Sequence, residues 1–180
     1  MSEPRPVDEN GGGKPSRRSV VGKVAHAIEH QLPPGDVAEL RRVTPDDPYT
    51  PALWKLLLHH VPESWTGGPG RDENERRWAA LFAGMAVAAG LHDPAVPLGR
   101  ALAEAGWSEL RFVRLMRDRA DGLADRVRRV AAYLNSKAQT ADWADVANLL
   151  LEQEGEWAER HRRRIARDYY RALQRLERTE

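Results

Sequence analysis

Apolar positions in this 180-residue chain recur at spacings of three and four, and no segment alternates apolar with polar residues over a useful length. That periodicity turns one face of a helix toward a core, so it predicts an all-α fold, a compact helical bundle of eight or nine helices. Val20, Val24, Ala27 and Ile28 mark a first helix over 19–31, which Pro33, Pro34 and Gly35 stop. Asp36 is placed to cap a short helix that ends in Arg41 and Arg42. Pro51 opens a helix through His60 that is apolar on more than half its circumference and should lie deep. Trp78, Leu81, Phe82, Met85 and Ala89 share one face of a long helix over 72–89. A short helix over 98–105 leads through Gly106 to Ser108, a good N-cap for a helix with Phe112, Leu115 and Met116 inward. Leu123, Val127, Val130, Ala131 and Leu134 define the next. Thr140 or Asp142 caps one carrying Trp143, Val146, Ala147, Leu149 and Leu150. The last runs over 156–178, with Trp157, His161, Ile165, Tyr169, Ala172, Leu173 and Leu176 as its stripe.

Proline and glycine punctuate this pattern. Residues 1–18 are charged, rich in Pro and Gly and nearly devoid of apolar side chains, which predicts a disordered tail before a single domain over 19–180. The Gly/Pro-rich segment 62–70 is the clearest loop, and it divides an N-terminal lobe, 19–61, from a C-terminal lobe, 71–180.

Composition narrows the function. The chain has no cysteine, which excludes disulfides and thiolate metal ligands and fits a reducing cytoplasm. Its longest apolar run, 78–91, is alanine-rich and broken by Gly84 and Gly90, too weak for a membrane span, and the first residues do not read as a signal peptide. A soluble cytoplasmic protein is expected. Gly11-Gly12-Gly13-Lys14 lacks the spacing of a phosphate loop. His26 and His30 stand four apart on a helix without an evident third ligand, and no nucleophile–base set or paired carboxylates can be assembled. No enzyme activity, metal or cofactor is expected.

Charge is what remains. The net charge is only +1, yet the stretch 99–137 holds Arg100, Arg111, Arg114, Arg117, Arg119, Arg126, Arg128, Arg129 and Lys137 against five acids. At 100° per residue Arg111, Arg114 and Arg117 fan over the side opposite Phe112, Leu115 and Met116. A solvated helix face is the ordinary reading of such residues. Two features favour phosphate instead: arginine outnumbers lysine, which suits planar bidentate recognition, and neutralising acids lie elsewhere in the sequence. Arg76 and Arg77 near a helix start oppose the helix dipole and point to an external anion. Residues 138–159 contain acids and no Lys or Arg, and the last helix is rich in Arg, so these helices should pair in part. Trp54, Trp78, Trp143 and Trp157 lie on apolar stripes and are expected in the core. Trp65 and Trp107 do not, and either could stack on bases or on a partner.

Five short strings, in this order, are similar to a known family: Gly35-Asp36-Val37-Ala38-Glu39-Leu40-Arg41-Arg42; Leu98-Gly99-Arg100-Ala101-Leu102; Ser108-Glu109-Leu110-Arg111-Phe112-Val113-Arg114-Leu115-Met116; Asp142-Trp143-Ala144-Asp145-Val146; and Arg167-Asp168-Tyr169-Tyr170. The chain thereby resembles CasB, the small subunit of the type I-E CRISPR surveillance complex Cascade. The resemblance implies an all-α, non-catalytic protein acting in antiviral defence. It would sit as two copies along the complex, against the repeated backbone subunit and the large PAM-reading subunit. Its basic surface would steady the target DNA strand and the displaced strand while the guide RNA pairs. The residues expected to bind nucleic acid are Arg41, Arg42, Arg76, Arg77, Arg100, Arg111, Arg114, Arg117, Arg126, Arg128, Arg129 and Lys137, with Arg162, Arg163 and Arg164 behind them. The alternative is a helical adaptor whose basic face binds an acidic protein. A small transcription regulator would need a base-reading recognition helix, which is not identifiable.

Overall fold

A helix can meet neighbours on every side only where small residues let them approach, and the alanine-rich run after Trp78 supplies them. The computed structural model describes residues 15–179, and in it the helix Arg71–Val87 (α5) is the central rod. Before it come Arg17–His30 (α1), Pro34–Arg42 (α2), Pro51–His60 (α3) and the single turn Glu63–Thr66 (α4). After it come Leu98–Glu104 (α6), Glu109–Arg117 (α7), Ala120–Ser136 (α8), Trp143–Leu151 (α9) and Gly155–Glu177 (α10). α5 touches α1, α2, α3, α4, α8 and α9, and it buries Trp78, Leu81, Phe82 and Met85 as well as Ala79, Ala83 and Ala86. Gly84 faces the Trp143 ring, which a Cβ would approach to 3.0 Å. The fold is all-α; the β-type pairing among the described residues is an isolated bridge between His92 and Ala141. No helix among the described residues is long and apolar enough to cross a membrane.

α6 and α10 form the most intimate helix pair. Gly99 makes that approach possible, because a side chain there would run into the Ile165 carbonyl and come within 2.8 Å of the Tyr169 amide nitrogen. The N-terminus of α6 lacks a side-chain cap of its own. Buried Asp145 on α9 provides one from a distance, accepting from the Leu98 amide at 3.0 Å while Arg164 of α10 binds its other oxygen.

Several expectations need correction. α1 starts at Arg17, with Ser16 capping the Ser19 amide, so Arg17 and Arg18 belong to this helix and not to the expected tail; residues 1–14, the rest of that expectation, lie outside the described residues. Arg17 reaches Asn148 and Glu152, and Arg18 reaches buried Asp142 at 2.8 Å. Acids near α9 are thus neutralised partly from the far end of the chain. α2 begins at Pro34 rather than behind Asp36, because proline fits the first helical turn. Glu63–Thr66 makes a helical turn within the expected loop. Ser108 is the N-cap of α7 by position but makes no side-chain cap bond. In α10 the buried stripe is Ala158, Arg162, Ile165, Tyr169 and Ala172, one position off the expected register at its start. Arg162 enters the interior, where one amino group donates to the Gln153 carbonyl and burial lowers its basicity. Trp157 is left 61% exposed and Trp54 38% exposed, whereas Trp107 is buried and Trp65 stacks on Trp78.

Acid should loosen this packing. Burial holds His60, His92 and His161 below the ordinary histidine pKa, helped by Lys23 and His59 at His60 and by Arg164 at His161. His92 also accepts the Trp143 amide through Nδ1, at the start of α9. The unfolded chain takes up protons below about pH 6.5 that the folded chain resists, so this stability is present above that pH and lost as pH falls. Asp145, whose pKa burial raises, offsets part of the loss at lower pH. A lower melting temperature at pH 5.5 than at pH 7.5 is expected. In His92→Asn, whose amide oxygen can accept the same bond, the fall should be smaller.

Candidate nucleic-acid interface

The apolar face of α7 fixes the direction of its basic one. Phe112 lies flat on Tyr169 of α10, with ring centroids 3.9 Å apart, and meets Tyr170 edge-on. Leu115 is also buried, and Glu109 accepts a bond from the Tyr170 hydroxyl at 2.8 Å. With that face committed, Arg111, Arg114 and Arg117 stand in solvent on the other, and no carboxylate among the described residues lies within salt-bridge distance of them. Arg119 is paired with Glu159 and Arg126 with Asp118.

The turn between α6 and α7 adds an aromatic element. Gly106 adopts a left-handed conformation, φ 79°, while the Trp107 amide returns to the Leu102 carbonyl and the Gly106 amide to that of Ala103. This helix stop aims Trp107 inward, edge-on to Tyr133 of α8 at 4.8 Å. The Arg111 guanidinium lies over Trp107 at 5.4 Å and the Lys137 ammonium over Tyr133 at 5.7 Å. Lys137 and Arg111, 26 positions apart in sequence, therefore flank one aromatic pair. Trp107 is thus a support for cations and is not open for base stacking.

A second group of expected residues gathers where α2, α5 and α8 meet. Arg128 of α8 donates to the carbonyls of Val43 at 2.9 Å and Arg41 at 3.1 Å, and Arg41 donates to the Ala86 carbonyl. These two arginines fasten helices together while part of each stays exposed. Arg76, Arg77 and Arg128 line a shallow cleft whose other walls include Ala79, Ala80, Ala83, Ala124 and Leu150. Arg77 is paired with Glu73; Arg100, on α6, is paired with Glu104, whose hydrogen bond and charge raise the Arg100 pKa further. Arg42 and Arg129 are exposed without a salt-bridge partner among the described residues. Of the residues expected behind these, Arg162 is buried, Arg164 is held by Asp145 and Arg163 is free of ion pairs among the described residues.

The structure also exposes a basic and aromatic patch on α10, made by Trp157, Arg160, His161, Arg163, Arg164 and Arg167. The sequence signal was present as arginines at three- and four-residue spacings around a tryptophan. It was masked because the same tryptophan fits an apolar stripe.

The model of a family described as CRISPR-associated protein Cse2 matches residues 36–170. Among solved structures, a chain in the crystal structure of E. coli Cascade bound to a PAM-containing double-stranded DNA target is similar, with TM-score 0.65 and 22% identity over 86% of this chain and 96% of that one. The crystal structure of CasB from Thermobifida fusca is similar with TM-score 0.62 and 17% identity over 86% and 95% of the two chains. At these identities the likeness establishes the fold. No curated protein sequence matches.

Proposed function

The chain belongs to the CRISPR-associated Cse2 family, and we propose that it serves as the non-catalytic small subunit of a type I-E Cascade complex, holding nucleic-acid backbone so that the R-loop stays open. The observation that carries this reading is the row of Arg111, Arg114 and Arg117 on α7, exposed and without carboxylate partners among the described residues. Guanidinium groups on a rigid helix suit phosphate, which positions a strand without reading its sequence. Exchange of a DNA duplex for a guide–target hybrid is nearly balanced, so a few such contacts decide how far it proceeds. The partners in this reading are the repeated backbone subunit, the large PAM-reading subunit, a second copy of this chain, the guide RNA, and the target and displaced DNA strands. The likeness to a chain of DNA-bound E. coli Cascade supports it.

The apolar wall of the Arg76–Arg128 cleft favours a second reading, an adaptor that binds an acidic protein. Titration of the free protein with nucleic acid separates them. Near-neutral net charge with a local basic row predicts weak binding, at micromolar affinity or poorer, to single and double strands of any sequence, falling steeply with salt. Tight sequence-specific binding, or none at low salt, would sink the first reading.

A further inference from the structure

Trp157 is poorly accounted for by folding. An indole carries a large apolar surface, and 61% of this residue stays in solvent at the start of α10, so much of its hydrophobic stabilisation is forgone. Trp54, the other exposed tryptophan among the described residues, is shielded by Tyr49 stacked 5.6 Å away. Trp157 has a guanidinium instead: Arg160 lies over its ring at 5.1 Å, and the His161 ring is tilted against it at 5.7 Å. Arg163 and Arg167 continue the patch without salt-bridge partners among the described residues. The Glu156 partner of Arg160 is itself 86% exposed, so that pair is cheap to exchange for another anion.

The patch is separate from the α7 row. α7 lies along α10 at Tyr169 and Tyr170, and Arg119 at its end meets Glu159. Arg164 turns the other way, to Asp145 on α9, and fixes the flank on which the patch sits.

We propose that this flank of α10 is a second nucleic-acid contact, one that takes an unpaired strand by stacking a base on Trp157 and holding neighbouring phosphates with Arg163 and Arg167. The chemistry selects the ligand. An exposed indole among arginines offers a π-face and charge together, which a single strand matches with free bases and phosphates. In a duplex the base faces are already stacked. An acidic peptide would use the arginines and leave the indole unused. This inference rests on the nucleic-acid reading above and adds a second site on the chain, with the side chain that meets an unpaired base.

The test uses the full chain and four probes: an oligo-dT of about 20 nucleotides, a duplex of equal length, inorganic polyphosphate and poly-glutamate. Base stacking of about 1–3 kcal/mol predicts that Trp157→Ala weakens oligo-dT binding roughly 5- to 150-fold. Duplex and polyphosphate affinities should be unchanged, and Trp157→Phe should recover most of the loss. Oligo-dT affinity equal to wild type in Trp157→Ala overturns the inference, as does poly-glutamate binding as tight as oligo-dT. The Arg111/Arg114/Arg117 triple alanine variant, run in parallel, separates the two readings. If it loses binding while Trp157→Ala does not, the inference fails alone; if wild type binds neither nucleic acid, both fail.

Discussion

Replacing Arg111, Arg114 and Arg117 together by alanine is expected to leave the fold intact and to cost most of the nucleic-acid binding. None of the three has a carboxylate partner among the described residues, so little stability is at stake beyond the contact of Arg111 with Trp107, worth about 0.5–1 kcal/mol at an exposed site. Helical circular dichroism and melting should stay near wild type. Each lost phosphate contact removes about 0.9 from the salt slope on duplex and about 0.7 on single strands. Three contacts therefore predict a slope shallower by two to three and affinity roughly a hundredfold weaker near 0.1 M salt. In a reconstituted complex the same variant should give a lower R-loop yield. An Arg111→Lys single variant keeps the charge and loses the planar fork, so it should behave close to wild type on slope and fall below it in affinity. Unchanged slope and yield in the triple variant would remove α7 from the nucleic-acid surface.

Phe112→Ala is expected to do the opposite. Phe112 is 1% exposed and sandwiched between α7 and the Tyr169 and Tyr170 rings, so truncation removes apolar burial, leaves a cavity and breaks a stacked pair. A loss of about 3–5 kcal/mol follows, a large share of the 5–15 kcal/mol by which such domains are stable. For a chain of this size that lowers the melting point by roughly 6–20 °C. Nucleic-acid affinity and salt slope should survive at temperatures where the variant remains folded. A wild-type melting temperature would show that α7 is not docked through this ring, and the outward direction of its arginines would lose its basis.

The contrast between these two variants reflects what each kind of residue owes to its neighbours. That Phe112 and Leu115 face inward while Arg111, Arg114 and Arg117 face outward follows from spacing alone, and the structure agrees. The same logic placed Trp78, Phe82 and Met85 of α5 and Leu123, Val127 and Val130 of α8 in the core. It failed at the start of α10. Positions 161 and 162 lie equally well on a stripe through Ile165, and choosing the more apolar set put Trp157 inside. Contact with the segment after α9, where Gln153 accepts from Arg162, settles the register the other way.

Periodicity by itself determined the all-α fold and which side of α7 and α8 carries guanidinium groups, because a helix relates residues three and four apart whatever surrounds them. Tertiary structure alone decided which cations remain unneutralised. Arg126 meets Asp118 and Arg164 meets Asp145, and Arg17 and Arg18 cross more than 120 positions to reach Glu152 and Asp142. It also turned Trp107 inward and Trp157 outward. Both outcomes depend on pairs brought together by packing, and Coulomb attraction and burial act on distance in space, which helical spacing does not encode.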